Sequence, residues 1–166
     1  MYPRSFAPRV ARTSNFQRAV PGGHRSRLGG AEMHLVDTNV LSELARPRPN
    51  AAVVRWFESH QETAISVISI DELSYGIARA PHARRRMLAT WFDAMLDGVD
   101  RVFDVTPSIT RAAGELRAAR EAVGRPVAQA DMLICATALV HGLTLVTRNV
   151  GDFRGCWAVL VDPFDS

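Results

Sequence analysis

The chain is poor in cysteine and contains no lysine. Its 166 residues include two cysteines, Cys135 in an apolar helical stretch and Cys156 beside a tryptophan. Two such residues do not make a disulfide framework, so we expect both to be small core residues of a protein in a reducing cytoplasm. No apolar run approaches the roughly 18 residues that a membrane span requires, and we therefore expect no membrane association.

Excess basic charge is confined to the beginning of the chain. Residues 1–32 carry six arginines and one acid, a net charge of +5, whereas residues 33–166 carry 14 arginines and 16 acids, a net charge of −2. A nucleic acid partner would therefore meet local arginines and bound cations, because residues 33–166 have no global basic field. Residues 1–32 lack sustained periodicity, which predicts a disordered basic extension and favours Met33 as the natural start.

From Met33 onward, short apolar runs alternate with longer helical patterns. The apolar runs predict five strands, at residues 34–36, 63–67, 101–105, 143–146 and 158–161. The segments between them predict six helices, the second capped by Asn50 and the third by Ser69. Such alternation is typical of a parallel sheet covered on both faces. We predict one domain, residues 33–166, with a three-layer α/β/α architecture around a sheet of about five strands.

Four acids occupy corresponding places in this pattern. Asp37 follows the first strand, and Glu72 lies in the helix after the second. Asp131 lies near the start of the last predicted helix, and Asp152 follows the fourth strand. Right-handed crossovers bring these places to one edge of a parallel sheet. Four carboxylates there require a cation, and Mg²⁺ or Mn²⁺ prefers oxygen ligands, so the pattern predicts metal-dependent phosphodiester hydrolysis.

Each acid also has a purely structural interpretation. Asp37 could cap the helix that follows it, and Glu72 could complete a capping box with Ser69. Asp152 could organise a turn. Asp131 resists such an interpretation because it shares a helical stripe with small apolar residues, and acids on a packed face are rarely unpaired. The four acids together are more specific than any one of them.

Short polar residues stand beside the acids. Thr38 and Asn39 follow the first acid, and Thr147 and Asn149 precede the last. These side chains could hold the carboxylates in place as a supporting layer of hydrogen bonds. They are also ordinary turn and cap residues, and the sequence leaves both interpretations open.

Four stretches resemble the motifs of the PIN-domain ribonucleases, specifically the VapC/FitB toxins of bacterial toxin–antitoxin pairs. They are DTNVLSEL at 37–44, IDELSYGI at 70–77, ADMLICATA at 130–138 and TRNVGDF at 147–153, and RPRPN at 46–50 is similar to the linker of the FitB-like branch. The second motif places its acid before the leucine, which favours Glu72 over Asp71. The match covers nearly all of residues 33–166, and residues 1–32 have no counterpart in it.

The resemblance implies a Mg²⁺- or Mn²⁺-dependent endoribonuclease that leaves a 5′-phosphate and a 3′-hydroxyl. It implies that the metal-binding catalytic residues are Asp37, Glu72, Asp131 and Asp152, with Thr147 and Asn149 in support. It further implies a type II toxin that forms a homodimer and is inhibited by a VapB/FitA-like antitoxin. We expect DNA contact only through that antitoxin.

Two surfaces follow from the residues themselves. Arg148 and Arg154 flank Asp152, so we expect them to contact RNA phosphates. The third and fourth helices carry more apolar residues than one core stripe needs, namely Tyr75, Ile77, Met87, Leu88 and Trp91. Part of this set could bind an amphipathic antitoxin helix, or all of it could belong to the core.

Two other functions remain open at this stage. A PIN nuclease could serve in housekeeping RNA processing without an antitoxin. A non-catalytic α/β regulatory or nucleotide-binding module could use the same acids only as helix caps, although the chain has neither of the two glycine-rich phosphate-binding motifs.

Overall fold

The computed structural model describes residues 32–60 and 62–165. The predicted disordered extension, residues 1–32, therefore lies outside the described residues, apart from Glu32. That Met33 is the natural start stays a prediction. The carboxylate of Glu32 accepts a hydrogen bond from the hydroxyl of Thr144, on the fourth strand.

Five parallel strands form one sheet. They are β1 (His34–Val36), β2 (Thr63–Ser66), β3 (Arg101–Phe103), β4 (Thr144–Val146) and β5 (Val159–Val161). Their order is β3-β2-β1-β4-β5, and every neighbouring pair is parallel, which confirms the predicted sheet. The chain adds β2 and then β3 on one side of β1, and afterwards crosses back to add β4 and β5 on the other side of β1. Open α/β sheets bind ligands where the strand order reverses in this way, so the junction of β1 and β4 is the expected site.

Seven helices surround the sheet in the described part of the chain. They are α1 (Thr38–Leu44), α2 (Ala51–Ser59), α3 (Val67–Arg79), α4 (His82–Leu96), α5 (Pro107–Ala122), α6 (Gln129–His141) and α7 (Val150–Phe153). Six agree with the predicted helices to within a few residues at each end. The short α7 was not predicted, because one turn of helix carries too little periodicity to be recognised.

The helix ends confirm one predicted cap and correct another. The side chain of Asn50 accepts a hydrogen bond from the amide of Ala52 and caps α2. The predicted Ser69 cap is wrong, since α3 begins at Val67 and its cap is Ser66, whose hydroxyl accepts from the amide of Ile68. The predicted second strand ran to Val67, but Val67 is the first residue of α3. The chain passes from β2 into α3 without a loop.

The sheet separates two apolar clusters, as a three-layer fold requires. Successive strand residues point to opposite faces, so Leu35 belongs to a cluster with residues of α5 and α6, and Val36 to a cluster with residues of α1, α2, α3 and α4. Both cysteines are fully buried and free, as predicted, and the Cys156 thiol lies 3.8 Å from the Met132 sulfur. None of the helices formed by residues 32–60 and 62–165 combines the length and hydrophobicity that a membrane span requires.

Candidate active site

The pairing of β1 with β4 brings Asp37 beside Thr147. Val36 pairs with Val146 in the parallel register, and the amide of Asp37 donates to the Val146 carbonyl at 2.9 Å. Asp37 and Thr147 are thus the first residues beyond the two central strands. The Thr147 hydroxyl donates to Oδ2 of Asp37 at 2.7 Å. The first predicted site residue and a predicted supporting residue meet at the reversal in strand order.

Asp37 is almost completely buried and surrounded by donors. The residue is 3% exposed. Besides Thr147, Oδ2 accepts from Asn39 Nδ2 at 2.6 Å, and Oδ1 accepts from the amide of Thr38 at 2.7 Å. Burial raises the pKa of Asp37, and the charge of Glu72 adds to the rise, while these hydrogen bonds oppose it. Asp37 therefore does cap α1, but the cap is only one of its hydrogen bonds, since Asn39 and Thr147 also donate to its carboxylate.

Glu72 is held to the same place by the start of α1. The hydroxyl of Thr38 donates to Oε2 of Glu72 at 2.6 Å, across 34 residues of sequence. Glu72 lies within α3 and takes no part in its cap, because the capping residue is Ser66. The neighbouring Asp71 is exposed, as the helical rotation between adjacent residues predicts. The geometry thus favours Glu72 over Asp71.

Asp131 lies near enough to the other three acids to interact with their charges. It occupies the first turn of α6, whose capping position, Ala128, makes no side-chain hydrogen bond. Burial raises the pKa of Asp131 to about 6, and the charges of Asp37, Glu72 and Asp152 contribute to the rise. Such an effect requires the other charges to lie nearby and to be incompletely screened by water. The structure therefore places Asp131 at the same edge of the sheet as the other three acids.

Asp152 joins this group through α7. The side-chain amide of Asn149 donates to Oδ2 of Asp152 at 2.5 Å, and the backbone amide of Asn149 donates to the Thr147 hydroxyl at 3.0 Å. Thr147 thus connects Asp37 to the segment that carries Asp152. Asn39 reinforces the connection, because its Nδ2 lies 3.1 Å from the same hydroxyl. Asn39, Thr147 and Asn149 all contact the acids they were predicted to support.

The two predicted RNA-contacting arginines differ in their surroundings. Arg148 is exposed, its backbone amide donates to Asn39 Oδ1 at 3.2 Å, and its guanidinium carbon lies 4.8 Å from the centre of the Phe164 ring. Arg154 is exposed at the end of α7, and its carbonyl accepts a hydrogen bond from Arg120. Phe164 was not among the predicted site residues. It lies beyond the last strand, and no sequence pattern indicates its contact with Arg148.

The apolar side chains of α3 and α4 do not all belong to the core. Tyr75 is 62% exposed and Met87 is 49% exposed. Ile77, Leu88 and Trp91 are half-buried, and Trp91 packs against the cluster that contains Val36. The interpretation that assigns the whole set to the core is therefore wrong, and an exposed apolar surface remains on this helix pair.

The donor set suits a hard divalent cation. It consists of carboxylates, and no salt bridge joins any of the four acids to another described residue. In the described part of the chain, no three His, Cys, Asp or Glu side chains stand close enough to hold a metal ion by themselves. Mg²⁺ commonly takes only one or two protein carboxylates and completes its shell with water and phosphate oxygens. The residues fit an ion bound in that partial manner.

Comparison with known proteins identifies the family. Residues 34–154 match the PIN domain. The chain is 32% identical over 141 residues to the VapC ribonuclease Y4jK of Sinorhizobium fredii, covering 80% of this chain and 99% of that protein. It is 30% identical over 139 residues to the toxin FitB of Neisseria gonorrhoeae, with the same two coverages.

A solved structure agrees with these relatives. The crystal structure of FitAcB from Neisseria gonorrhoeae superposes with a TM-score of 0.73 at 29% identity, covering 81% of this chain and all of that one. The parallel sheet, the strand order and the match over residues 34–154 lead to one conclusion. The chain belongs to the PIN-domain family, in the group that contains the VapC and FitB proteins.

Proposed function

We propose that this protein is the toxin of a type II toxin–antitoxin pair and an endoribonuclease that requires Mg²⁺ or Mn²⁺. The observation that carries the proposal is that Thr38 holds Asp37 and Glu72 together, because its amide donates to Asp37 and its hydroxyl donates to Glu72. Burial and the charges of Asp37, Glu72 and Asp152 raise the pKa of Asp131, which is consistent with one group of four acids. Bringing four acids together costs free energy, and no salt bridge to a described residue offsets that cost. Proteins retain such an unfavourable group of charges at functional sites, where a cation and an anionic substrate bind to it.

The roles of the residues follow from their contacts. Asp37 and Asp131 would hold the cation, with Glu72 and Asp152 completing the acidic lining. When bound, Mg²⁺ or Mn²⁺ would activate water and stabilise in-line displacement at phosphorus. Thr147 and Asn39 keep the buried Asp37 carboxylate oriented, and Asn149 does the same for Asp152. The exposed Arg148 and Arg154 would bind RNA phosphates beside the acids.

The toxin role is supported by the relatives and by the surface of α3 and α4. The relatives are named as a VapC ribonuclease and as the toxin FitB, and the superposed structure is that of FitAcB. The exposed Tyr75 and Met87 would bind an amphipathic helix of a VapB/FitA-like antitoxin. Any DNA contact is assigned to the antitoxin in this proposal. A homodimer is the expected assembly, to be checked by light scattering.

The test is cleavage of pooled cellular RNA by the full chain. Wild type should cut RNA with Mg²⁺ or Mn²⁺ and stop when EDTA is added. Asp37→Asn and Asp131→Asn should each lose at least about 10²-fold in rate, as the removal of a group essential to the chemistry does. Asp71→Asn is the matched control, because it removes an exposed acid next to the site and should cut at the wild-type rate.

Metal binding gives a second readout that does not depend on choosing the right RNA. Mg²⁺ should raise the melting temperature of wild type, and Asp131→Asn should lose most of that rise. If wild type neither cleaves RNA nor responds to either metal, the catalytic proposal fails. If cleavage is found but expression does not arrest growth, the enzyme is a nuclease of the housekeeping kind and the toxin role fails.

A further inference from the structure

We propose that Phe164 is a positioning residue that holds Arg148 in place to bind a phosphate of the RNA substrate next to the scissile bond. This inference rests on the proposed function. Phe164 lies outside residues 34–154, the part of the chain that matches the PIN domain. It reaches the site because β5 returns the chain to the edge where the acids lie.

The backbone of Arg148 is tied closely to the site. Its amide donates to Asn39 Oδ1 at 3.2 Å, and Asn39 Nδ2 in turn donates to Asp37 at 2.6 Å. The preceding residue, Thr147, contacts the same carboxylate. The base of the Arg148 side chain is therefore fixed relative to the acids, and only the orientation of its long exposed portion remains to be set.

Phe164 sets that orientation. The guanidinium carbon of Arg148 lies 4.8 Å from the ring centre, within the range of a cation–π contact. The ring itself is anchored, since it is half-buried and packs against the apolar cluster containing Val36. The amide of Phe164 also donates to the Asp162 carboxylate at 2.9 Å, which fixes the turn that presents the ring.

An arginine held in this way is suited to phosphate. The N–H donors of a guanidinium lie in its plane and can bind phosphate oxygens in a forked arrangement, and a ring on one side of the group leaves room for that contact. A free arginine loses considerable side-chain freedom when it binds, and prior contact with the ring removes part of that loss. The four acids repel an approaching RNA backbone, so a fixed cation beside them would offset that repulsion.

The experiment measures binding of a short fluorescein-labelled single-stranded RNA of mixed sequence to the full chain carrying Asp131→Asn, which leaves the RNA uncut. In this background Arg148→Ala should raise Kd and lower the slope of log Kd against log salt by about one. Phe164→Leu keeps an apolar side chain but removes the ring, and should weaken binding about three- to tenfold, in line with the strength of cation–π contacts. Phe164→Tyr keeps the ring and should restore binding.

Two further variants separate positioning from a general effect on folding. Adding Phe164→Leu to Arg148→Ala should weaken binding no further, because the ring acts only through that arginine. Arg101→Ala is the matched control, since it removes an arginine that lies 4.5 Å from the Phe103 ring centre on the outer strand, and it should bind RNA like the parent. In the cleaving protein, with Asp131 intact, Phe164→Leu should raise KM and leave kcat nearly unchanged.

The possible outcomes are distinguishable. If wild type cleaves RNA but Phe164→Leu binds it as tightly as the parent, the inference is wrong and the proposed function stands. Equal weakening by Phe164→Leu with and without Arg148 would also overturn it, because the ring would then act by another route. If wild type neither binds nor cleaves RNA, the proposed function and the inference fail together.

Discussion

Thr147 donates a 2.7 Å hydrogen bond to Asp37 although the two residues are 110 positions apart in the sequence. The contact exists because β1 and β4 are neighbours at the centre of the sheet and end together. The same hydroxyl accepts hydrogen bonds from the Asn39 side chain and the Asn149 amide. Thr147 is therefore the point at which the segments carrying Asp37 and Asp152 are joined.

Replacing Thr147 with valine should destabilise the protein and raise the pKa of Asp37 further. Valine keeps the shape but removes the hydroxyl, so a buried carboxylate loses a donor, at a cost of about 1–3 kcal/mol at neutral pH. The decrease in the free energy of unfolding should be smaller in acid, where Asp37 is protonated. Urea unfolding of wild type and variant at several pH values measures this free energy.

Thr137→Val is the control for this prediction. It removes a buried hydroxyl that bonds only to the Leu133 carbonyl of its own helix, away from any carboxylate. Its effect should be small and independent of pH. Equal pH dependence in the two variants would contradict the assigned role of Thr147.

The metal-free protein should lose stability as pH rises from about 4 to about 6. The pKa of Asp131 is about 6 in the folded chain and about 3.8 when unfolded, so the folded state binds the extra proton within this window. Stability rises with pH only where the unfolded state binds more protons, and here the folded state does. After allowance for solvent screening of this partly exposed group, the effect is about 1–2 kcal/mol. Burial of Asp37 acts in the same direction.

Denaturant unfolding in EDTA across this pH range, with wild type and Asp131→Asn, measures the effect. The variant should be more stable than wild type at pH 7.5 and should show a much weaker dependence on pH. Asp71→Asn, which changes an exposed acid, should keep the wild-type dependence. An unchanged pH dependence in Asp131→Asn would mean that the acids are not coupled as described.

Glu72 and Asp71 should differ sharply in their effect on activity. Glu72→Gln removes the negative charge of a carboxylate that lies in the group of acids and accepts a hydrogen bond from the Thr38 hydroxyl. It should lower kcat by about 10²-fold or more. Asp71→Asn changes an adjacent but exposed acid and should leave kcat as it is. Single-turnover cleavage of one RNA by both variants decides the matter, and comparable losses would contradict the assignment of Glu72.

The exposed side chains of α3 and α4 should contribute to antitoxin binding. Tyr75→Ser and Met87→Ser should each weaken the complex by about tenfold or more if these residues are central to the interface, without lowering the melting temperature. Trp91→Ala should also destabilise the free protein, because Trp91 packs against the core. Val123→Ser, which changes an equally exposed apolar residue after α5, is the control. Calorimetric titration with the antitoxin gives the affinities. Unchanged affinities in the Tyr75 and Met87 variants would mean that the antitoxin binds at another surface.

The sequence by itself determined the elements and the identity of the acids. Short apolar runs and longer helical periods are local signals, so the five strands and six of the helices were predictable. The acids were predictable too, because a parallel fold brings the ends of its strands to one edge. Local signals failed at Val67, which was predicted to end the second strand but begins α3. They also missed α7, which is a single turn.

Only the tertiary structure decided how the acids are held and which arginine is fixed. The strand register places Thr147 against Asp37, and helix packing places Thr38 against Glu72. These contacts join residues far apart in the chain, so no periodicity records them. The same holds for Phe164 beneath Arg148. The raised pKa of Asp131 is likewise a property of the fold, because burial and the three neighbouring charges arise only when the four segments come together.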